Sequence, residues 1–173
     1  INEAGCGFDK DSTNLFDSPR AQIITNLNLQ HKDLLGAKNI NDICRIKCGS
    51  LSNDTSIYIG KQKIKTLKII KKVLKKNSSK KFYYGKDFKI IRKKNFYLYK
   101  DKKCSLKLHA KQIHSEGLWE NIALSVKVAR DLGISNLTIL KSLKNIKFLG
   151  RLHFIKNGKI RKLLSPKEDL ILD

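Results

Sequence analysis

The chain has 173 residues, of which 40% are hydrophobic, and its formal net charge is +22. This length allows one moderate core, so the sequence predicts one domain or one domain with part of another. No apolar run approaches the roughly 18 residues that a membrane-spanning helix needs, and nothing at Ile1 has the pattern of a secretory signal, so a cytoplasmic protein without a membrane is expected.

The positive charge invites a nucleic-acid interpretation, since clustered Lys and Arg neutralise phosphates. Only six of the 37 basic residues are Arg, however, and the abundance of Lys, Ile and Asn is typical of an AT-rich genome. Stacking aromatics are sparse outside residues 82–84 and 96–99. Compositional drift therefore accounts for the charge more simply than a nucleic-acid surface, which stays an alternative.

Cysteine and methionine usage bears on location and completeness. The four cysteines contain no C-x-x-C pair, so we expect reduced cysteines of a cytosolic protein. Methionine is absent even from position 1, and the chain both opens and stops beside apolar, strand-like segments. The sequence therefore predicts an internal fragment of a longer protein.

The first half of the chain is predicted to alternate strands and helices. The predicted elements are a strand at 21–25, a loop at 26–35, a helix capped by Asn41 or Asp42, a strand at 56–59 and a helix at 64–74. Lysines cover the polar side of the last helix, which is most simply a solvated surface.

The second half begins with short β-type runs separated by turns, a meander of hairpins at 82–108. The remaining predicted elements are helices at 118–132 and 136–145, strands at 151–155 and 159–164 joined by Asn157-Gly158, and a strand at 169–172. Alternating strands and helices with an antiparallel insertion predict an α/β domain.

Three polar residues in the first third stand where an apolar stretch meets a glycine-containing or capped turn: Glu3, His31 and Lys47. Taken singly, each is explained more simply as a surface residue. Together, a carboxylate, an imidazole and an amine could form one metal and phosphate site. The surrounding motifs decide between these interpretations.

Residues 3–14 read EAGCGFDKDSTN. This segment resembles the E-x-G-x-G-G-R-x-D-x-T-N motif of the folylpolyglutamate synthase and dihydrofolate synthase family. Residues 24–31 with 34–36 resemble that family's I-T-x-I-x-x-D-H followed by L-G, and residues 43–49 resemble I-A-x-E-K-A-G. Later in the chain, 121–124 resemble N-A-A-L, 150–152 resemble P-G-R-L, and 170–173 resemble the strand leading into D-G-A-H-N. Six motifs in the family's order are unlikely to match by chance.

The resemblance implies a Mur-type ligase fold. Residues 1–147 would be the C-terminal part of the central ATPase domain, with a mostly parallel sheet, flanking helices and an antiparallel insertion. Residues 148–173 would be the first strands of a Rossmann-like C-terminal domain. The implied reaction transfers the γ-phosphoryl group of ATP to a folate or dihydropteroate carboxylate, and the amine of L-glutamate then attacks the acyl phosphate.

The resemblance also implies roles for individual residues. Glu3 and His31 would bind Mg²⁺, and Lys47 matches a lysine that the family carries in carbamylated form, which turns an ammonium into a carboxylate. Thr13 and Asn14 would shape the turn after Glu3 and border the substrate site. Arg151 would reach the nucleotide phosphates and Asp173 the ribose, although an exposed hairpin charge explains Arg151 equally well.

Several positions depart from the family pattern, which makes a divergent or impaired enzyme an open alternative. Phe8 and Asp9 replace Gly-Arg, Gln30 replaces an Asp, and Ile46 replaces a Glu. Leu149 replaces a Pro, and Gly117-Leu118 replaces His-Gln.

No G-x-x-x-x-G-K-[ST] phosphate loop occurs in the chain. The family's loop would lie before Ile1, so we expect these residues alone not to turn over ATP. The partners implied are ATP, folate or dihydropteroate, and L-glutamate, with a monomeric full-length protein. A peptidoglycan-precursor ligase of the same type remains an alternative, which the turn at 11–14 disfavours.

Overall fold

A three-stranded parallel sheet forms the base of the domain. The computed structural model describes residues 1–110, 113–146 and 153–172. Strands β1 (Gln22–Ile24), β2 (Ile57–Ile59) and β3 (Lys81–Tyr83) lie in the order β1-β2-β3, with Ile57 beside both Gln22 and Lys81. Every residue of β2 is buried, which explains why this central strand is a continuous apolar run in sequence.

Helices α1 (Lys32–Leu35), α2 (Ile40–Cys48) and α3 (Ile64–Val73) follow the first two strands. Cys44 and Cys48 of α2 and Ile70 of α3 share a buried cluster with Ile24 and Ile57 of the sheet. The segment at 26–35, predicted as a loop, contains the short helix α1. The predicted cap at Asn41 or Asp42 is wrong: Asn39 is the cap, because its side chain accepts from the backbone N–H groups of both residues.

A second, antiparallel sheet confirms the predicted insertion. It contains β4 (Phe88–Arg92), β5 (Tyr97–Asp101) and β6 (Ser105–Leu108) in that order. The predicted meander started too early, because residues 82 and 83 lie in β3 and pair in parallel with β2. Sequence patterns show that a segment is extended but not which strand lies beside it.

Helix α4 (Glu116–Asp131) packs against both sheets through contacts with β2 and β4. Trp119 stacks on Tyr97 with 4.0 Å between ring centroids, and Leu124 is buried in the same cluster. Helix α5 (Asn136–Asn145) follows, and Ser135 caps it as predicted. None of the described helices is long and apolar enough to cross a membrane.

Near the end of the chain, β7 (His153–Phe154) pairs antiparallel with β8 (Ile171–Leu172), and α6 (Lys159–Lys162) lies between them. The predicted strand at 159–164 is wrong. Gly158, with φ of +124°, turns the chain into α6, and the Arg161 guanidinium donates to the backbone carbonyls of Leu164 and Ser165. Arg151, Asp173 and the predicted domain boundary at 147/148 lie outside the described residues.

Candidate functional site

Asp11 organises the turn that follows Glu3. Its carboxylate accepts hydrogen bonds from the Gly5 N–H at 2.9 Å, the Thr13 N–H at 2.9 Å and the Thr13 hydroxyl at 2.6 Å. The Thr13 hydroxyl is the largest cause that holds the pKa of Asp11 below its ordinary value, followed by the two backbone donors. The Asn14 amide donates to the Asp9 carbonyl at 3.4 Å. Thr13 and Asn14 therefore shape this turn.

The same loop lies directly on α1 and α2. A methyl group at Gly7 would lie 3.0 Å from Ile46 Cγ2 and 3.2 Å from Leu35 Cδ2, so a side chain there would fit only if these neighbours shifted. The Asp9 N–H donates to the Ile46 carbonyl at 3.3 Å, and the Asp9 carboxylate accepts from the Ser50 hydroxyl. Asp9, a departure from the family pattern, thus fixes the loop to the end of α2.

His31 is the N-cap of α1 and has an unusual backbone conformation. Its φ of 53° and ψ of 27° are left-handed, and no other non-glycine residue in the described ranges has a positive φ. The His31 carbonyl accepts from the Leu35 N–H at 3.0 Å, and the imidazole is exposed. Strained backbone of this kind clusters at functional sites.

Lys47 lies half-buried in the last turn of α2, and Glu3 is exposed in the loop. The positive charge of Lys47 contributes to the lowered pKa of Asp11. Across the part of the chain that the structure describes, the side chains of Glu3, His31 and Lys47 form no ion pair or hydrogen bond. Their segments meet at Gly7, which contacts the helix that follows His31 and the helix that contains Lys47.

The donor set near Gly7 tests whether a metal would fit. Within residues 1–110, 113–146 and 153–172, no group of three or more His, Cys, Asp and Glu side chains could hold a metal ion. These residues therefore do not form a complete protein cage. Mg²⁺ is usually held by one or two carboxylates and completes its shell with water and substrate phosphates, so the carboxylate of Glu3 suits this ion, whereas the imidazole of His31 is a less usual ligand for it.

Sequence reasoning missed a second polar cluster at the carboxyl ends of β1 and β2. The Asn26 amide donates to the Lys61 carbonyl at 2.9 Å, and the Gln62 amide donates to the Thr25 carbonyl at 2.7 Å. Lys61 Nζ lies 2.6 Å from Glu120 Oε1 of α4, and this hydrogen bond raises the pKa of Lys61.

The carboxyl edge of a parallel sheet is where α/β proteins bind ligands. The available signal was Gly60 followed by the polar residues Lys61 and Gln62, directly after the apolar strand at 57–59. At Gly60 an added methyl group would lie 3.1 Å from Leu124 Cδ2 and 3.3 Å from the Ile24 carbonyl oxygen. A side chain at Gly60, directly after β2, would therefore be crowded by α4 and by the end of β1.

A cavity of about 390 Å³ lies between α4 and α5. Its polar lining residues are Asn121, Ser125 and Ser142, and the others are apolar. Asn121, which belongs to the motif at 121–124, is thus one of three polar residues at a mostly apolar cavity.

Comparison with solved structures identifies the fold. A complex of FPGS with AMPPCP and folate matches 99% of this chain and 42% of its own, with a TM-score of 0.83 and 20% identity. E. coli FolC in complex with DHPP and ADP matches 98% of this chain and 38% of its own, with a TM-score of 0.77 and 19% identity. Folylpolyglutamate synthase from Thermotoga maritima matches 98% of this chain and 38% of its own, with a TM-score of 0.76 and 23% identity.

The chain thus has the fold of part of these proteins and spans about two fifths of their length. The predicted α/β architecture with parallel and antiparallel sheets is confirmed by this likeness. No protein-family model and no curated protein matches the sequence.

Proposed function

We propose that this chain is part of an ATP-dependent carboxylate–amine ligase that adds L-glutamate to a folate or dihydropteroate. The observation that carries the proposal is the agreement of two independent comparisons. The order of six short motifs points to this family, and nearly the whole chain superimposes on FPGS and FolC structures, two of which contain ATP-analogue with folate or ADP with DHPP.

The proposed reaction has two steps. An oxygen of the substrate carboxylate attacks the γ-phosphorus of ATP, and ADP leaves to give an acyl phosphate. The glutamate amine then attacks the acyl carbon, the amide bond forms, and inorganic phosphate leaves with the loss of the amine proton. Positioning of the anionic reactants is the main task of the protein in such transfers.

Glu3 and His31 are the residues that would hold Mg²⁺, whose role is to offset the negative charge of the phosphate and carboxylate oxygens. Asp11 and Gly7 keep the loop that contains Glu3 against α1 and α2. Thr13 and Asn14 shape the adjoining turn, which we place at the border of the folate site. Arg151 and Asp173, outside the described residues, are proposed to contact the nucleotide.

Lys47 is proposed to function in carbamylated form. This proposal rests on the motif at 43–49, because the positive charge of the plain amine adds a small attraction to Asp11, which modification to a carboxylate would turn into repulsion. Native intact-mass measurement of the longer, active protein should show one carbamate, which Lys47→Arg abolishes together with activity. An active, metal-bound protein with a plain amine at Lys47 would contradict this role.

We further propose that the chain is a fragment of a cytoplasmic, monomeric ligase and that its missing parts include the phosphate loop. The chain covers only 38–42% of the matched structures, and its sequence contains no such loop. Glutamate-dependent ADP release should therefore be measurable only when the chain is joined to its flanking sequence. Release by the isolated chain would contradict the fragment proposal, and no release by the longer protein with either pteridine substrate would contradict the ligase proposal.

A further inference from the structure

The basic residues of this chain are concentrated in one segment. Residues 61–110 contain 19 Lys and Arg against two Asp, whereas residues 1–60 contain six Lys and Arg against seven Asp and Glu. Drift in genome composition acts on the whole sequence and would spread lysine more evenly. The concentration therefore calls for a local cause, and the antiparallel sheet offers one.

The outer side of this sheet collects lysines through its register. Lys89 lies opposite Lys100, Ile91 opposite Leu98, and Lys107 also opposite Leu98. Since successive side chains of a strand point to opposite faces, these residues lie away from the buried Phe88 and Tyr99, which pack toward α4. The Lys93 N–H donates to the Phe96 carbonyl at 2.9 Å, which extends the ladder by one row toward His109, whose ring centroid lies 5.9 Å from that of Phe96. We call this surface the basic face; its residues are Lys89, Ile91, Lys93, Phe96, Leu98, Lys100, Ser105, Lys107 and His109.

The charges of the basic face are not compensated within the described residues. Of the two carboxylates in the segment, Asp87 accepts from the Tyr83 N–H at 2.8 Å, and Asp101 is turned toward Tyr99 and Arg130. None of the four lysines forms an ion pair with a described residue. Like charges directly opposite each other, such as Lys89 and Lys100, destabilise a sheet, so an anionic ligand would relieve an unfavourable arrangement.

The centre of the basic face favours one kind of anion. Ile91, Leu98 and Phe96 are half-buried among the lysines, and Lys107 Nζ lies 5.5 Å from the Phe96 ring centroid. A single-stranded nucleic acid offers both phosphates for the lysines and unstacked bases for an aromatic and apolar centre. A duplex would present mainly its phosphates to this flat surface.

We propose that the basic face binds single-stranded nucleic acid. Lys89, Lys93, Lys100 and Lys107 contact phosphates, and a base stacks on Phe96. The face measures about 17 Å along the strands and about 10 Å across them, which is room for two or three nucleotides. This activity goes beyond the proposed ligase reaction and does not depend on it.

Fluorescence anisotropy with a labelled oligouridylate of about 20 nucleotides, titrated with the full chain at several salt concentrations, tests the proposal. We expect the triple variant K89Q/K100Q/K107Q to bind about tenfold or more weakly, with a salt-dependence slope reduced by about 2, since each phosphate contact on a single strand contributes about 0.7. The matched control K65Q/K68Q/K72Q removes the same charge from α3 and should change affinity by less than about twofold. Equal weakening by both variants, or equal affinity for a duplex of the same length, would overturn the proposal.

Two further variants separate charge from stacking. Replacement of the three lysines by Arg should retain binding, because it retains the positive charges that contact phosphates. Phe96→Ala should weaken binding about fivefold or more without a change in the salt slope, because a stacked base contributes little to counterion release. An unchanged affinity of Phe96→Ala would contradict the proposed stacking of a base on Phe96. Because the assay contains neither ATP nor glutamate, its failure leaves the ligase proposal intact.

Discussion

Charged side chains are arranged in opposite ways around α4 and around the loop that contains Glu3. The side chains of Asp101, Arg130 and Lys127 are only 3%, 16% and 10% exposed, and each has an oppositely charged partner. Glu3 and His31 are exposed, Lys47 is half-buried, and none of these three has a polar partner among the described residues.

The difference follows from the cost of desolvation. A charge removed from water must be paired, because an isolated buried charge is strongly destabilising. A charge that keeps its water can exchange that water for a ligand at little cost to the fold. The charges around α4 should therefore determine stability, and those near Gly7 should determine activity.

The largest expected effect on stability is that of Asp101→Asn. Asp101 accepts from the Tyr99 hydroxyl at 2.7 Å and from Arg130, so the substitution leaves a mostly buried guanidinium without its counterion. We expect a loss of about 3–5 kcal/mol in the free energy of unfolding, measured by urea denaturation of the full chain at neutral pH. Asp54→Asn, at an exposed turn, is the matched control and should change stability by less than about 0.5 kcal/mol.

The same pair gives a pH dependence with a definite sign. Burial opposes ionisation of Asp101, but hydrogen bonds from Tyr99, the Lys103 N–H and Arg130 more than offset it and hold the pKa below 3.8. The stabilisation is therefore present above pH 3.8 and is lost as pH falls through the lowered pKa. The stability difference between the wild type and Asp101→Asn should close in that acidic range, and a constant difference would contradict the ion-pair account.

Glu3→Gln should lower activity and leave stability unchanged, the converse of Asp101→Asn. In the longer ligase we expect kcat/KM to fall about 100-fold or more, because the amide lacks the charge that a Mg²⁺ ligand supplies. The midpoint of unfolding should not move, since Glu3 is exposed. Glu116→Gln, which loses an exposed ion pair to Arg92 away from the candidate site, serves as a second carboxylate for comparison. Equal activity losses in both variants would remove the special role of Glu3.

Gly7→Ala should affect both stability and activity, because Gly7 packs against two helices inside the candidate site. The added methyl group would lie 3.0 Å from Ile46, so we expect a cost of about 1–3 kcal/mol in unfolding free energy and a parallel fall in activity as the loop shifts. Gly117→Ala is the matched control: its nearest neighbour would be 3.6 Å away in the first turn of α4, so stability should rise by about 0.5–1 kcal/mol. An unchanged activity of Gly7→Ala would show that the loop position does not matter.

The sequence predicted the elements that have a strong local signal. The apolar strand at 57–59, the helix at 136–145 with its Ser135 cap and the segments of the antiparallel sheet were identified because periodicity and capping are local properties. It failed where non-local contacts decide the outcome. Residues 82 and 83 pair with β2 across the chain, and 159–162 form a helix beside β7.

The motifs propose the residues of the candidate site, and that assignment stays a prediction, but they do not predict its supporting contacts. The motifs named Glu3, His31 and Lys47, yet Asp11 acts through three hydrogen bonds that only the folded turn brings together. The pairing of Lys61 with Glu120 joins residues 59 positions apart, and no spacing rule connects them.

Two substitutions at His31 separate the contribution of its backbone conformation from that of its imidazole. At φ of 53° glycine is unstrained, so His31→Gly should change the unfolding free energy by less than about 1 kcal/mol, since relief of strain offsets the added chain entropy. His31→Val places a β-branched residue in the same left-handed conformation and should be clearly less stable, by about 1–2 kcal/mol. Both variants remove the imidazole, so both should lose the same ligase activity in the longer protein at a temperature where each is folded. If activity instead followed stability, with the glycine variant active, His31 would serve the turn at the start of α1, and the metal would have to be held by Glu3 without it.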